Sequence, residues 1–277
     1  MGNIYFSFPN ELLSVYDVDQ EISIINEGVC YPFSLKLNEK SNKLIVFLPG
    51  AFNKNLSNEV KFQRSSYFSE LSENCISFFD PTLFLNNDIG IGWFQGEKNK
   101  DYIVFVAKIL LFIVDQKKIN SSDIVFFSTS AGGIPAFRLA SYFEDCIVYA
   151  GNIQTDFLKY YKGARDRIIQ YTYLNDTIEQ ISMNFANRSN IFNIDEKFKV
   201  IYTQNISDDF HYKNHFLPYL DLSRMKSEIS YEIFEYKDNI KGHSPLGKEK
   251  EILIINSILR YRSIDNIVEL LGFVNVN

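Results

Sequence analysis

The chain has 277 residues, 46% hydrophobic and 22% charged, and its 34 acidic against 28 basic side chains give a formal charge of −6. That length supports one large domain with a well-buried core, and the composition excludes a disordered or fibrous chain. The acidic balance speaks against a protein that holds nucleic acid by neutralising phosphates.

Three cysteines, Cys30, Cys75 and Cys146, show no CxxC spacing. An odd, scattered set suits reduced thiols, hence a cytoplasmic location. The first stretch, MGNIYFSFPNELLSVYD, has no basic region leading into an apolar run, so no secretory signal is expected. Phe6 stands where a myristoylation signal needs Ser or Thr. The longest purely apolar run, Ile109 to Val114, is far too short to span a bilayer.

In chain order, strands are expected over Asn42–Gly50 (NKLIVFLPG), Asn74–Asp80, Asp123–Ser128 (DIVFFS), Cys146–Asn152, Lys199–Asn205 and Ile229–Glu235. They are rich in β-branched and aromatic residues, and several are apolar on both faces, as strands inside a parallel sheet are. Between them, Asp101–Ile119 is apolar nearly all round and reads as a buried helix. Residues 155–194 carry helical patches and no strand, which suggests a helical insertion acting as a lid. Pro245–Tyr261 and Ile264–Phe273 read as closing helices. The alternation implies an α/β fold: a mostly parallel sheet with helices on both faces, in a single domain over 1–277 with an insertion at about 155–195.

Chemistry is expected where DIVFFSTSAGG ends its strand, because α/β sheets present ligands at the carboxyl ends of strands. Ser130 sits between small residues, Ser128 on one side and Gly132 and Gly133 on the other. A nucleophile on a sharp strand-to-helix turn needs such neighbours. The backbone N–H of Ala131, at the start of the following helix, is then available to an oxyanion. Pro135 is tolerated because it falls in that helix's first turn. Taken alone, the same stretch also suits a Ser/Gly turn that opens a helix or cradles a phosphate.

The order of the remaining residues separates these readings. A triad on this architecture runs Ser, then Asp or Glu, then His. There are only three histidines. Asp208 and Asp209 follow the strand Lys199–Asn205, and His243 lies in the loop after Ile229–Glu235. His243 is assigned as general base to Ser130, with Asp208, chosen over Asp209, fixing the imidazole tautomer. The competing readings are a solvated loop histidine and a helix N-cap. A second oxyanion donor is expected after the strand Asn42–Gly50, among Gly50, Ala51 and Phe52, with Ala51 and Phe52 favoured.

With these residues in place, the chain resembles the α/β-hydrolase superfamily from about Lys43 to its C-terminal helix; Ser128 stands where the GxSxG elbow has its first glycine. SDDFH after one strand and GH after the next are similar to the pattern of bacterial capsule polysaccharide O-acetyltransferases of this fold, whose elbow also carries a serine at or beside that position and a double glycine after it. The resemblance implies that an acetyl group passes from acetyl-coenzyme A through Ser130 to a sugar hydroxyl, with Asp208 and His211 matching the family's Asp-x-x-His. Coenzyme A enters as acyl-donor substrate, and no bound cofactor is expected. A general carboxylesterase, or a non-catalytic partner in a glycan or secretion assembly, are the alternatives.

Further substrate contacts are sought at His211, Trp93 and Arg64. His211 and His215 have metal-chelating spacing, but no third ligand accompanies them, so no metal is expected. Trp93, the sole tryptophan, is either a platform for a sugar ring or a core residue. Lys159, Lys162, Arg165 and Arg167 offer a basic patch for an anionic substrate or coenzyme A phosphates, or simply an exposed helical face.

Overall fold

The structure is a computed structural model, and it describes residues 4–6, 18–52, 59–226 and 230–276. Most of the N-terminal stretch read for targeting signals, and Ile229 of the last expected strand, lie outside the described residues.

Ten strands form one sheet: β1 (Ile4–Phe6), β2 (Gln20–Asn26), β3 (Val29–Lys36), β4 (Leu44–Leu48), β5 (Asn74–Phe78), β6 (Ile124–Thr129), β7 (Ile147–Gly151), β8 (Lys199–Asn205), β9 (Tyr231–Tyr236) and β10 (Val274–Asn275). Their order is β1-β2-β3-β5-β4-β6-β7-β8-β9-β10. The six strands expected from the sequence are β4 to β9, and every neighbouring pair among them is parallel.

The antiparallel hairpin β2–β3 is not among the expected strands. Its turn residues, Glu27 and Gly28, both have positive φ, at 49° and 79°, the backbone that matches strand twist in a two-residue hairpin. Ile22 and Ile24 alternate inward. The short edge strand β10, which lies beyond the closing helical stretch that ends at Phe273, is also unexpected and runs antiparallel to β9.

Side chains alternate across the sheet as the strand period requires. Leu44, Val46 and Leu48 of β4, with Ile124 and Phe126 of β6, join one core. Helix α1 (Tyr102–Lys117), capped by Asp101, and helix α2 (Gly133–Ala140) pack into that core. Contrary to the all-round burial expected, α1 leaves Val104 and Leu111 exposed. Between β7 and β8 the chain forms a 3₁₀ turn, Phe157–Lys159, then α3 (Lys162–Tyr171), α4 (Ile178–Asn184) and α5 (Ala186–Ser189). After β8 come α6 (Asp209–His211), a π-helical turn, Tyr212–Phe216, and α7 (Leu217–Met225). On the opposite face, Ile45, Phe47, Val125 and Phe127 meet α8 (Lys248–Tyr261) and α9 (Val268–Leu271).

Chain order reverses between β4 and β6: β4 leads outward to β5, whereas β6 leads to β7 on the other side. A crevice forms at the carboxyl ends of strands where connections diverge in this way. The residues after β4 and β6 therefore face one another.

Candidate functional site

Ser130 follows β6 directly and has φ 53°. A non-glycine residue enters this left-handed region only when its surroundings impose it, at a cost of about 1–3 kcal/mol. The imposition is visible on each side. Thr129 is still extended, and a 3₁₀ turn starts at Ser130 and runs into α2. A Cβ on Gly132 would lie 2.7 Å from the Leu48 carbonyl oxygen, and one on Gly133 would lie 2.5 Å from Ile153 Cβ. Ser128 fits at the first elbow position because its buried hydroxyl donates to the Tyr149 carbonyl at 2.9 Å.

Two loops converge on the serine. Ser130 Oγ lies 2.8 Å from His243 Nε2, and His243 Nδ1 lies 2.6 Å from Asp208 Oδ2. The chain of contacts assigns the tautomer: with Nδ1–H donating to the carboxylate, Nε2 accepts the serine proton. Asp209 points away, its carboxylate exposed and paired with Lys213. The loop carrying His243 is tied down by Asn205, whose Nδ2 donates to the carbonyls of Asp238 and Gly242 at 2.8 Å each.

Asp208 serves two histidines. His211 Nδ1 donates to its other oxygen at 2.9 Å, and the His211 ring stacks on His243 with centroids 3.6 Å apart and planes 13° from parallel. Burial pushes the Asp208 carboxyl up, but the hydrogen bonds from His211 and His243 prevail and hold it well below the usual range. Burial holds His211 below its ordinary value, and the neighbouring His243 acts in the same direction. His211 is thus a buried neutral support beneath His243. Asp208, His211 and His243 each offer an atom within 4.8 Å of the others, the spacing of a metal cluster; here those atoms are spent on the hydrogen bonds just described.

The turns after β4 and β6 meet beside Ser130. A Cβ on Gly50 would lie 3.5 Å from Ser130 Cβ, so this loop borders Ser130. The Phe52 N–H already donates to the Gly90 carbonyl at 2.7 Å. Of the two favoured donors after β4, Ala51 is therefore the one whose amide has no acceptor among the described residues. Ala131 lies at the helical start, where the first amides have no intrahelical acceptor.

Other expected substrate contacts take different positions. Arg64 is buried: its Nε donates to Glu251 Oε2 at 2.7 Å and its Nη2 to Thr129 Oγ1 at 2.8 Å. It braces the elbow from beneath and does not reach into the cleft. Trp93 is only 1% exposed, so it presents no platform; its indole N–H donates to Gln154 Oε1. Gln154 in turn donates from Nε2 to Ser130 Oγ at 3.1 Å. Gln154 is not among the residues expected at the site, although its place just past the carboxyl end of β7 is where such a residue belongs. In the basic patch Arg165 pairs with Asp166, while Lys159, Lys162 and Arg167 are exposed. A cleft of about 470 Å³ lined by Asp145, Glu196, Lys199 and Arg262 opens at the opposite, amino ends of β7 and β8, away from this chemistry.

No protein-family model matches the sequence, and no curated protein matches it. Solved structures do. A mutant of the capsule O-acetyltransferase of Neisseria meningitidis serogroup A, in complex with CoA, superposes with TM-score 0.60 over 82% of this chain and 94% of that one, at 14% identity. A protein assigned as a carboxylesterase from Lactobacillus plantarum gives TM-score 0.55 over 87% and 97%, at 7% identity.

The fold is that of the α/β-hydrolases.

A glycosylation-associated protein complex from Streptococcus agalactiae also matches, with TM-score 0.60 over 88% of this chain and 46% of that one, at 13% identity. These identities carry the fold and nothing finer. In this sheet Ser130 follows β6, Asp208 follows β8 and His243 follows β9. Among the described residues no helix is long and apolar enough to cross a membrane.

Proposed function

We propose that this protein is a serine-dependent acyltransferase or esterase working through an acyl-Ser130 intermediate, with O-acetyl chemistry on a carbohydrate as its reaction and acetyl-coenzyme A as its donor. The observation that carries the reading is the unbroken hydrogen-bond path Ser130–His243–Asp208 at a strained elbow on the switch point of the sheet. The superposed CoA-bound O-acetyltransferase supports the choice of donor.

In the first half-reaction the Ser130 proton passes to His243 Nε2 as Oγ attacks the acyl carbonyl. The oxyanion is received by the amides of Ala131 and Ala51. Collapse breaks the bond to the leaving group, which takes the proton back from His243. In the second half His243 removes the proton of an acceptor hydroxyl, which attacks the acyl-serine; the C–Oγ bond breaks and the proton returns to Ser130. Asp208 stabilises the imidazolium at both stages. A cytoplasmic enzyme would meet acetyl-coenzyme A at its source.

A second reading has its own support. The match to a glycosylation-associated complex suits a non-catalytic partner in a glycan assembly. The deciding measurement is intact-protein mass after brief exposure to p-nitrophenyl acetate, and separately to acetyl-coenzyme A, for wild type and Ser130→Ala. An acetyl adduct on wild type alone supports the nucleophile, and labelling by the coenzyme supports transfer over hydrolysis. No adduct and no turnover with either donor would sink the enzyme reading in favour of the partner.

A further inference from the structure

Gln154 meets the nucleophile twice. Its backbone N–H donates to the Ser130 carbonyl at 2.9 Å, and its side-chain Nε2 lies 3.1 Å from Ser130 Oγ. The residue is fully buried. Its amide orientation follows from Trp93, whose Nε1 lies 2.5 Å from the far end of the amide. An indole can only donate, so the atom facing it is the oxygen and the atom facing Ser130 is the nitrogen.

Trp93 is itself held firmly. It and Phe94 have φ 48° and 52°, a conformation that bulky residues adopt only under constraint. Asp80 supplies the constraint by accepting the N–H groups of Phe94 and Thr82 at 2.9 Å each. A Cβ on Gly92 would fall 2.4 Å from the same carboxylate. Phe157 and Tyr160 flank the indole at 5.5 and 5.4 Å between ring centroids. A line of fixed groups thus runs from Asp80 through Trp93 and Gln154 to the reacting oxygen.

We propose that Gln154 is a catalytic residue that donates a hydrogen bond to Ser130 Oγ, with Trp93 as the positioning residue that sets its amide. The proposal rests on Ser130 being the nucleophile. A serine hydroxyl has one proton and two lone pairs. The proton goes to His243 and Gln154 occupies one lone pair, which leaves the other to attack. When the O–H bond breaks and the proton leaves for His243, and again when the C–Oγ bond breaks and its electron pair returns to Oγ, charge accumulates on an oxygen that already has a donor in place. A preorganised donor needs no rearrangement at that moment. Loss of one oxyanion-hole donor lowers kcat by about 10²–10³; a donor on Oγ, which His243 also serves, is expected to contribute about 10- to 100-fold.

The test compares wild type, Gln154→Glu, Trp93→Phe and the double variant, using kcat and KM for p-nitrophenyl acetate and the rate of Ser130 phosphonylation by a fluorophosphonate. Gln154→Glu keeps an acceptor for the indole and replaces the amide donor at Oγ with a carboxylate. The expected result is a 10- to 100-fold fall in kcat with KM within about twofold, and an acid limb of the pH–rate profile moved upward by the added carboxylate. Trp93→Phe gives a smaller fall, and the double variant is no worse than Gln154→Glu. Emission from the sole tryptophan is also expected to change when wild-type Ser130 is phosphonylated, a readout that needs no folded variant. A Gln154→Glu enzyme at wild-type rate with an unmoved profile overturns the proposal, as does unchanged emission on full modification. Wild type that reacts with neither reagent at Ser130 sinks the nucleophile and this proposal together.

Discussion

His215 gives a quantitative prediction about acid stability. Its ring is fully buried, and Nδ1 accepts the Thr155 N–H at 3.3 Å, so the neutral ring carries its proton on Nε2 and a second proton would set an N–H against an N–H. Burial holds its pKa down to about 3, reinforced by His211, His243 and Lys159 and opposed by Asp208. In the unfolded chain a histidine titrates near 6.5. Between those values the unfolded state binds a proton that the native state refuses, so stability falls as pH drops below about 6.5, by about 1.4 kcal/mol per unit. From pH 7.5 to 5 the loss attributable to this ring is about 2 kcal/mol. His215→Asn places an amide oxygen where Nδ1 stood and has nothing to titrate. The variant is expected to be less stable at pH 7.5, because part of the ring volume becomes cavity. Its further loss between pH 7.5 and 5, followed by urea unfolding with circular dichroism, is expected to be about 2 kcal/mol smaller than that of wild type. His211, whose pKa is also lowered, leaves a residual slope in both proteins. Parallel losses in the two proteins would refute the assignment of the proton.

Asp208→Asn is expected to lower acylation by about 10³–10⁴, since an amide cannot fix the tautomer of His243, whereas Asp209→Asn stays within about threefold because surface pairs such as Asp209–Lys213 contribute little; equal losses in a burst assay would return the choice between the two acids to open. Glu251→Gln breaks a pair in which both side chains are buried and removes the ionic acceptor of the Tyr67 hydroxyl, so urea unfolding is expected to show about 3–5 kcal/mol lost; a loss below about 1 kcal/mol would show that Arg64 finds another partner.

The parallel core of the sheet was readable from residues because it is defined by burial on both faces. LIVFL in β4 and IVFFST in β6 are buried throughout, and such runs have few alternatives to a central strand. Hairpin β2–β3 escaped notice for the opposite reason: QEISIIN mixes polar and apolar positions, and Asn-Glu-Gly is a weaker turn cue than Asn-Gly. Ser130, Asp208 and His243 could be placed because each follows a recognisable strand. Trp93 and Arg64 stay open on sequence alone because their surroundings come from distant segments: Glu251 lies 187 positions from Arg64 and Gln154 lies 61 from Trp93. Nothing local to IGIGWFQGEKN reveals that its indole faces inward.

Whether water or a hydroxyl takes the acyl group depends on how the cleft treats solvent and acceptor. The His243 side chain is 30% exposed and Ser130 is only partly covered, so the cleft does not exclude solvent by depth. An open site can still favour transfer if the acceptor is held in place, because a positioned hydroxyl can act at an effective concentration of about 10⁵–10⁸ M. Selectivity in the proposed reaction then belongs to whatever binds the acceptor near Ser130. The part-covered Tyr160 and the exposed Tyr161, packed around Phe210 and His211 at the start of the helical insertion, border that opening. Partition between hydrolysis and transfer should therefore respond to changes in the exposed Tyr161 while the rate of acylation does not, since acylation depends on groups already fixed beneath it.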